Sequence, residues 1–100
     1  MSDRKRVEDE GTRGKSYYYA QVDFYLDAGQ FALALHQANK NIAYNEEDPA
    51  AYVNRARVYE KLGKIEAAVR DLEEAIRLAP DNMTVRAHLE EISRQAATTQ

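Results

Sequence analysis

Apolar residues recur along most of this chain at steps of three and four, the spacing of one face of an α-helix. Five such segments follow one another from Ser16 onward. We expect a first helix over about residues 16–28 and a second from about residue 30. Three more are expected over about residues 49–62, 65–79 and 83–96. The pattern therefore predicts an all-α fold of five helices.

Residues that begin and end helices stand between the apolar segments. Gly29 and Gly63 follow the first and third segments, where glycine readily takes the positive φ that closes a helix. Asp48 suits the cap of the third helix, and Pro49 suits its first turn, where a missing N–H costs nothing. We interpret the acidic residues 46–48 as a helix start, at the positive end of the helix dipole, rather than as a metal site.

The chain repeats itself when it is shifted by 34 residues. Five pairs are identical at this offset: Tyr18 and Tyr52, Tyr25 and Tyr59, Gly29 and Gly63, Ala34 and Ala68, and Ile42 and Ile76. A fixed period of this length is typical of a solenoid built from helix pairs.

The second copy resembles the tetratricopeptide repeat (TPR), whose pattern reads W-x2-L-G-x2-Y, then A-x3-F, then P. The matching positions here are Tyr52, Arg55, Ala56, Tyr59, Ala68, Leu72 and Pro80. The first copy matches less fully, with Val22 at a small position, Ala38 at an aromatic one and Asn41 at an alanine. Asn41 would need a hydrogen-bond partner if it were buried.

The resemblance implies a TPR-like α-solenoid of antiparallel helix-turn-helix repeats, closed by a capping helix. The expected organisation is a flexible polar arm at 1–15, repeats at 16–48 and 49–82, a capping helix at 83–96 and a frayed tail at 97–100. A fragment of a longer protein or an engineered chain would show the same pattern.

Composition narrows the function classes. The net charge of −3 disfavours nucleic acid as a partner, because nucleic-acid-binding proteins usually present a basic face. No apolar run is long enough to span a membrane, and the N-terminal residues do not resemble a signal peptide. We therefore expect a cytoplasmic protein. The absence of cysteine excludes disulfides and thiolate ligands.

Catalytic and metal-binding patterns are absent from the sequence. His36 and His88 lie 52 residues apart, and neither belongs to a metal-binding motif such as H-E-x-x-H. The four glycines are isolated, so no phosphate-binding loop is present. We expect a protein that is not an enzyme and that uses neither a cofactor nor a metal.

By resemblance, the first helix of each pair lines a concave groove that holds an extended peptide or a partner helix. The predicted groove residues are Tyr19, Asp23, Asp27, Val53, Asn54, Arg57, Lys61 and His88. Helical spacing independently places Asn54, Arg57 and Lys61 on one face. The predicted function is a protein–protein interaction module, an adaptor or scaffold that binds a peptide in this groove.

Co-chaperone TPR domains hold a C-terminal carboxylate with two lysines, two asparagines and an arginine. Only Asn54 matches that set, while Tyr19, Asp23, Thr84 and His88 occupy the other four places. Because Asp23 would repel a carboxylate, an Hsp70 or Hsp90 C-terminal tail is disfavoured as ligand. Complementarity instead favours a basic group facing Asp23 and Asp27, and an acidic or carbonyl group near Arg57.

Tyr17 and Phe24 lie seven residues apart on the first helix, where a preceding repeat would stack. One interpretation is that the N-terminal arm covers them through Val7. The other is an apolar edge that pairs with another molecule, including a second copy in a homo-oligomer. The alternative function is therefore an assembly module without a peptide ligand.

Overall fold

The computed structural model describes residues 14–98, with side chains described for residues 16–97. Its helices are α1 (Gly14–Asp27), α2 (Phe31–Tyr44), α3 (Pro49–Lys61), α4 (Ile65–Leu78) and α5 (Met83–Thr98). This part of the chain contains five helices and no strand, which confirms the predicted all-α class of helix-turn-helix repeats. Each predicted helix boundary lies within two residues of the observed one.

The predicted arm and tail fall mostly outside the described residues. Residues 1–13 and 99–100 are not described. The last two residues of the expected arm belong to α1, and α5 continues through the first two residues of the expected tail.

The two helix pairs, α1–α2 and α3–α4, turn in the same way at glycine. Gly29 has a φ of +73° and Gly63 a φ of +77°. In both turns the amide after the glycine donates to a carbonyl five residues earlier, from Gln30 to Tyr25 and from Lys64 to Tyr59, each at 2.8 Å. This bond is characteristic of a helix ended by a left-handed residue.

Side-chain caps begin the helices that follow each pair. Asp48 Oδ1 accepts a hydrogen bond from the backbone N–H of Ala50 at 3.2 Å, and Pro49 lies in the first turn of α3. Asn82 Oδ1 accepts from the backbone N–H of Val85 at 3.1 Å. The predicted Asp48 cap is therefore confirmed, and α5 begins with a similar device.

Two apolar clusters form the core, and α3 contributes to both. The cluster between α1, α2 and α3 consists of Val22, Ala34, Ala38 and Val58. The cluster between α3, α4 and α5 consists of Ala56, Ala68, Leu72, Ala75, Val85 and Ile92. Small residues on the second helix of each pair let the next helix approach closely. The core is thus continuous along the array through α3.

Asn41 is fully buried at the position where the second copy has Ala75. Its side-chain oxygen accepts a hydrogen bond from Asn45 Nδ2 at 2.8 Å. Its own Nδ2 finds no hydrogen-bond partner among the described residues. The hydrogen-bond partner that the sequence indicated is therefore present for the Asn41 oxygen but not for the Asn41 nitrogen.

A charged pair joins the two helices of the second repeat. Arg55, at a position where the TPR pattern has leucine, donates from Nε and Nη2 to the two carboxylate oxygens of Asp71, each at 2.8 Å. Its Nη1 donates to Asn39 Oδ1 on α2 at 3.0 Å, and the guanidinium lies 5.6 Å from the centre of the Tyr59 ring. Arg55 therefore links α3 to α4 and to the preceding repeat.

Candidate partner-binding groove

A cavity of about 440 Å³ opens where α1, α3 and the start of α5 converge. Its lining is mostly apolar and comprises Tyr19, Pro49, Ala50, Val53, Asn54, Arg57, Asn82, Thr84 and Val85. We call this set the groove cavity. Its volume is in the range of sites that hold a small molecule or a few peptide side chains.

Four of the predicted groove residues line the groove cavity, namely Tyr19, Val53, Asn54 and Arg57. Val53 contributes apolar surface to the cavity, while Tyr19, Asn54 and Arg57 contribute polar groups. These residues come from two helices that are separated by a full repeat, so the fold brings them together.

Tyr19 is held in place by Asp48. Its hydroxyl donates to Asp48 Oδ2 at 2.8 Å, while the other carboxylate oxygen caps α3. Burial, reinforced by this hydrogen bond, raises the pKa of Tyr19. The hydroxyl thus stays protonated and fixes the α1 wall of the cavity against the start of α3.

Asn54 is almost fully buried, with 4% of its surface exposed. Its Oδ1 is inaccessible to water and has no hydrogen-bond partner among the described residues. Native proteins rarely leave a buried polar atom unsatisfied. Asn54 therefore belongs to the lining of the cavity, while its oxygen is enclosed and unpaired.

Arg57 pairs with Asp23, one repeat earlier. Arg57 Nη1 lies 3.1 Å from Asp23 Oδ1, and the two side chains are 49% and 53% exposed. An exposed pair of this kind is weak. Both charges were predicted to face the ligand independently, but they partly neutralise each other in the structure.

His88 and Glu60 form a second contact between groove helices. His88 Nε2 lies 2.9 Å from Glu60 Oε2, with the side chains 33% and 28% exposed. Glu60 Oε2 is otherwise buried without a hydrogen bond. This contact joins α5 to α3.

The structure does not bring every predicted residue to the cavity. Asp23 and His88 lie outside its lining and contact Arg57 and Glu60, respectively. Asp27 and Lys61 are exposed at the C-terminal ends of α1 and α3, also outside the lining.

Sequence reasoning missed four lining residues: Pro49, Ala50, Asn82 and Val85. All four lie at or beside the first turns of α3 and α5. The caps Asp48 and Asn82 could have indicated these four residues, because they show that α3 and α5 begin at corresponding points of the repeat.

Tyr17 and Phe24 lie on a different face of α1 from the groove cavity. Phe24 is 64% exposed and meets the ring of Tyr25 edge-on at 5.3 Å. Tyr17 is partly buried and meets the ring of Tyr18 edge-on at 5.2 Å. This pair forms an apolar edge beside α1.

The described residues offer neither a metal-binding cluster nor a membrane-spanning helix. No group of three or more His, Cys, Asp or Glu residues there is arranged to hold a metal ion. Among the same residues, no helix has the length and apolar character needed to cross a membrane.

Comparison with known proteins identifies the second helix pair. The sequence model of the family described as "Tetratricopeptide repeat" matches residues 49–82, which contain α3 and α4. The chain is also 32% identical to "Protein PHOX3" of Arabidopsis thaliana over 69 residues. That alignment covers 69% of this chain and 8% of the relative, so the chain spans a small part of that protein's length. The repeat pattern, the helix pair α3–α4 and the family match agree that residues 49–82 form a tetratricopeptide repeat.

Proposed function

We propose that this chain, a protein–protein interaction module by family, binds an extended peptide segment of a partner protein in the groove cavity. The observation that carries the proposal is Asn54. Its unsatisfied oxygen is buried in the wall of a mostly apolar cavity. If the Asn54 side chain turns toward the cavity, this oxygen accepts a hydrogen bond from a peptide N–H and is no longer unsatisfied.

The cavity favours a peptide with one apolar side chain. Val53 and Val85 present aliphatic surface, and the ring of Tyr19 closes one side. Burying an aliphatic side chain there contributes about 1.5–3 kcal/mol before the cost of ordering the peptide. A backbone hydrogen bond to Asn54 then fixes the direction of the peptide.

The charges beside the cavity favour a ligand of mixed charge. Arg57 and Asp23 are each about half exposed, so either can exchange its partner for a ligand group. A basic ligand side chain pairs with Asp23, and an acidic group or carbonyl oxygen pairs with Arg57. A module of this type acts as an adaptor rather than as an enzyme.

The decisive variant is Asn54→Ala. It removes a buried polar atom that has no partner in the free protein, so the thermal midpoint should stay the same or rise. Peptide affinity should fall by about tenfold, the usual effect of losing one well-placed buried contact. Loss of binding without loss of stability separates a ligand contact from a structural role.

The assay begins with affinity capture from the native lysate, followed by calorimetry with the minimal peptide of the captured protein. Arg57→Ala should also weaken binding, whereas Arg70→Ala, an exposed arginine on α4 outside the groove cavity, should not. Circular dichroism checks that helicity is preserved. Equal affinity of wild type, Asn54→Ala and Arg57→Ala would sink the groove proposal.

A second candidate function is assembly through the apolar edge of α1. Phe24 favours it, because its ring is 64% exposed and lies on the same helix face as Tyr17, and contiguous exposed apolar surface often marks an interface. The test is sedimentation of one double variant that carries Tyr17→Glu together with Phe24→Glu, alone and with a captured partner. If this double variant sediments like the wild type in every mixture, the edge takes no part in assembly.

A further inference from the structure

We infer that the side chain which the groove cavity takes from its peptide ligand is a tryptophan, an aromatic ring system that carries one hydrogen-bond donor. The inference rests on the proposed function and names the ligand class of the same site. Three features of the cavity carry it: an apolar lining that includes a tyrosine, an enclosed acceptor without a partner, and a half-exposed guanidinium.

The apolar lining of the groove cavity suits an aromatic ring better than an aliphatic chain. Val53 and Val85 give the cavity apolar surface, and Tyr19 lies beside them. The hydroxyl of Tyr19 donates to Asp48 at 2.8 Å, so its ring is held in one place before a ligand arrives. Aromatic side chains bury about 150–250 Å² each and gain further from edge-on or offset contact with another ring. A cavity of about 440 Å³ has room for such a ring system.

Asn54 provides the acceptor that an indole N–H requires. Its side chain belongs to the lining and is almost fully buried, and its Oδ1 has no hydrogen-bond partner among the described residues. The terminal torsion of an asparagine is broad and roughly two-fold, so the amide can turn Oδ1 toward the cavity at little cost. There Oδ1 accepts a hydrogen bond from the indole, whose N–H requires a partner once it leaves water. Aliphatic side chains and phenylalanine have no such donor.

Arg57 provides a cation for the face of the ring. Its side chain belongs to the lining, and its Nη1 lies 3.1 Å from Asp23 Oδ1. A guanidinium meets a carboxylate through N–H groups in its own plane, so the pair with Asp23 holds Arg57 while its flat face remains available for stacking. Among aromatic side chains, tryptophan gains most from a cation over its face. This preference separates tryptophan from tyrosine, which also carries a donor.

The experiment uses the whole chain, which contains no tryptophan, so the ligand is the only source of indole fluorescence. The probes are blocked tripeptides, acetyl-Ala-X-Ala-amide, in which X is tryptophan, 1-methyltryptophan, tyrosine or leucine. Binding of the first two is followed by the blue shift of their emission as the chain is titrated to millimolar concentration. Binding of the other two is measured by their competition with the tryptophan probe.

The tryptophan probe should bind the wild type about tenfold more tightly than the 1-methyltryptophan probe, because the methyl group removes one buried hydrogen bond. In the Asn54→Ala variant the two probes should bind equally, since the acceptor is gone. Arg57→Ala should weaken the tryptophan probe by about threefold through the loss of the cation over the ring. The tyrosine and leucine probes should compete less strongly than the tryptophan probe itself.

Two variants outside the groove cavity serve as matched controls. Arg70 is an exposed arginine and Phe24 is an exposed aromatic residue, and neither belongs to the lining. Arg70→Ala and Phe24→Ala should therefore bind the tryptophan probe like the wild type. Loss of the blue shift in Phe24→Ala would place the indole at the edge of α1 and would overturn the inference.

Three other results would also overturn it. These are the absence of a blue shift with millimolar chain, stronger competition by the tyrosine or leucine probe, and an equal effect of the methyl group in the wild type and in Asn54→Ala. The proposed function survives each of them if the minimal peptide of a captured partner binds in a manner that depends on Asn54. It fails separately, when that peptide binds Asn54→Ala and Arg57→Ala as tightly as the wild type.

Discussion

Removing the guanidinium of Arg55 should destabilise this protein more than any other change to a charged side chain among the described residues. The Asp71 side chain is 7% exposed and receives two hydrogen bonds from Arg55, each at 2.8 Å. In the Arg55→Ala variant that carboxylate stays buried without a cation. Breaking a buried pair in this way typically costs about 3–5 kcal/mol.

The expected cost lies near the lower end of that range, at about 3 kcal/mol, because the Arg55 side chain is 23% exposed and water can partly replace it. The hydrogen bond to Asn39 is lost as well. For a domain of this size, 3 kcal/mol corresponds to a fall of about 15 °C in the thermal midpoint. The hydrogen bonds to Asp71 hold the pKa of Arg55 above its usual value, so the arginine stays charged in the folded wild type.

Thermal and urea unfolding of a double-mutant cycle measures this coupling. Arg55→Ala and Asp71→Ala should each destabilise strongly, and the double variant should lose at least about 1 kcal/mol less than their sum. The matched control is Arg77→Ala, which breaks an exposed pair with Glu74 at 2.6 Å and should leave stability unchanged within error. Additive losses, or equal losses for Arg55→Ala and Arg77→Ala, would refute the reasoning.

Three further predictions concern the turn glycine Gly63, the α3 cap Asp48 and the groove tyrosine Tyr19. Gly63→Ala should lower the free energy of unfolding in urea by about 1 kcal/mol. The positive φ alone is the cause, since a Cβ at this position meets no atom within 4 Å. D-alanine at this position should restore stability, and an equal loss with D-alanine would indicate crowding instead. Asp48→Ala should cost at least about 1 kcal/mol, because it removes both the cap of α3 and the acceptor of the Tyr19 hydroxyl, and an unchanged urea midpoint would contradict it. Because the pKa of Tyr19 is raised in the folded state, its stabilisation is complete below the unfolded pKa of about 10 and is lost as pH rises above that value. The Tyr19→Phe variant should therefore lose less stability than the wild type between neutral and strongly alkaline pH, and parallel curves would contradict the pKa argument.

The local rules of helix structure predicted most of the fold. Gly29, Gly63, Asp48 and Pro49 have strong individual preferences, so they placed the helix ends correctly from the sequence. The 34-residue period then predicted which helices pair. The pairing was predictable because each copy repeats the same apolar positions.

The charged contacts were not predictable in the same way. Arg55 and Asp71 are 16 residues apart and lie on different helices, so no helical spacing connects them. The Arg57–Asp23 pair spans one repeat, and the repeat alignment placed both residues on the groove. It could not show that the two side chains meet, because that depends on their rotamers and on how far α1 lies from α3.

The buried Asn54 oxygen also required the structure. The sequence placed Asn54 on the groove face, but only packing shows that its oxygen is enclosed and unpaired. The apolar character of the cavity depends likewise on Pro49 and Val85, which the fold brings beside Val53. Position along the repeat was therefore predictable, whereas the chemistry of the cavity was not.

The most direct test of peptide binding in the groove cavity is amide-shift mapping of the isotope-labelled chain with the minimal peptide of a captured partner. We predict the largest shifts at the lining of the groove cavity, centred on Val53, Asn54 and Val85, and loss of these shifts in Asn54→Ala. Shifts confined to α2 and α4, or to the edge around Phe24, would contradict the proposal.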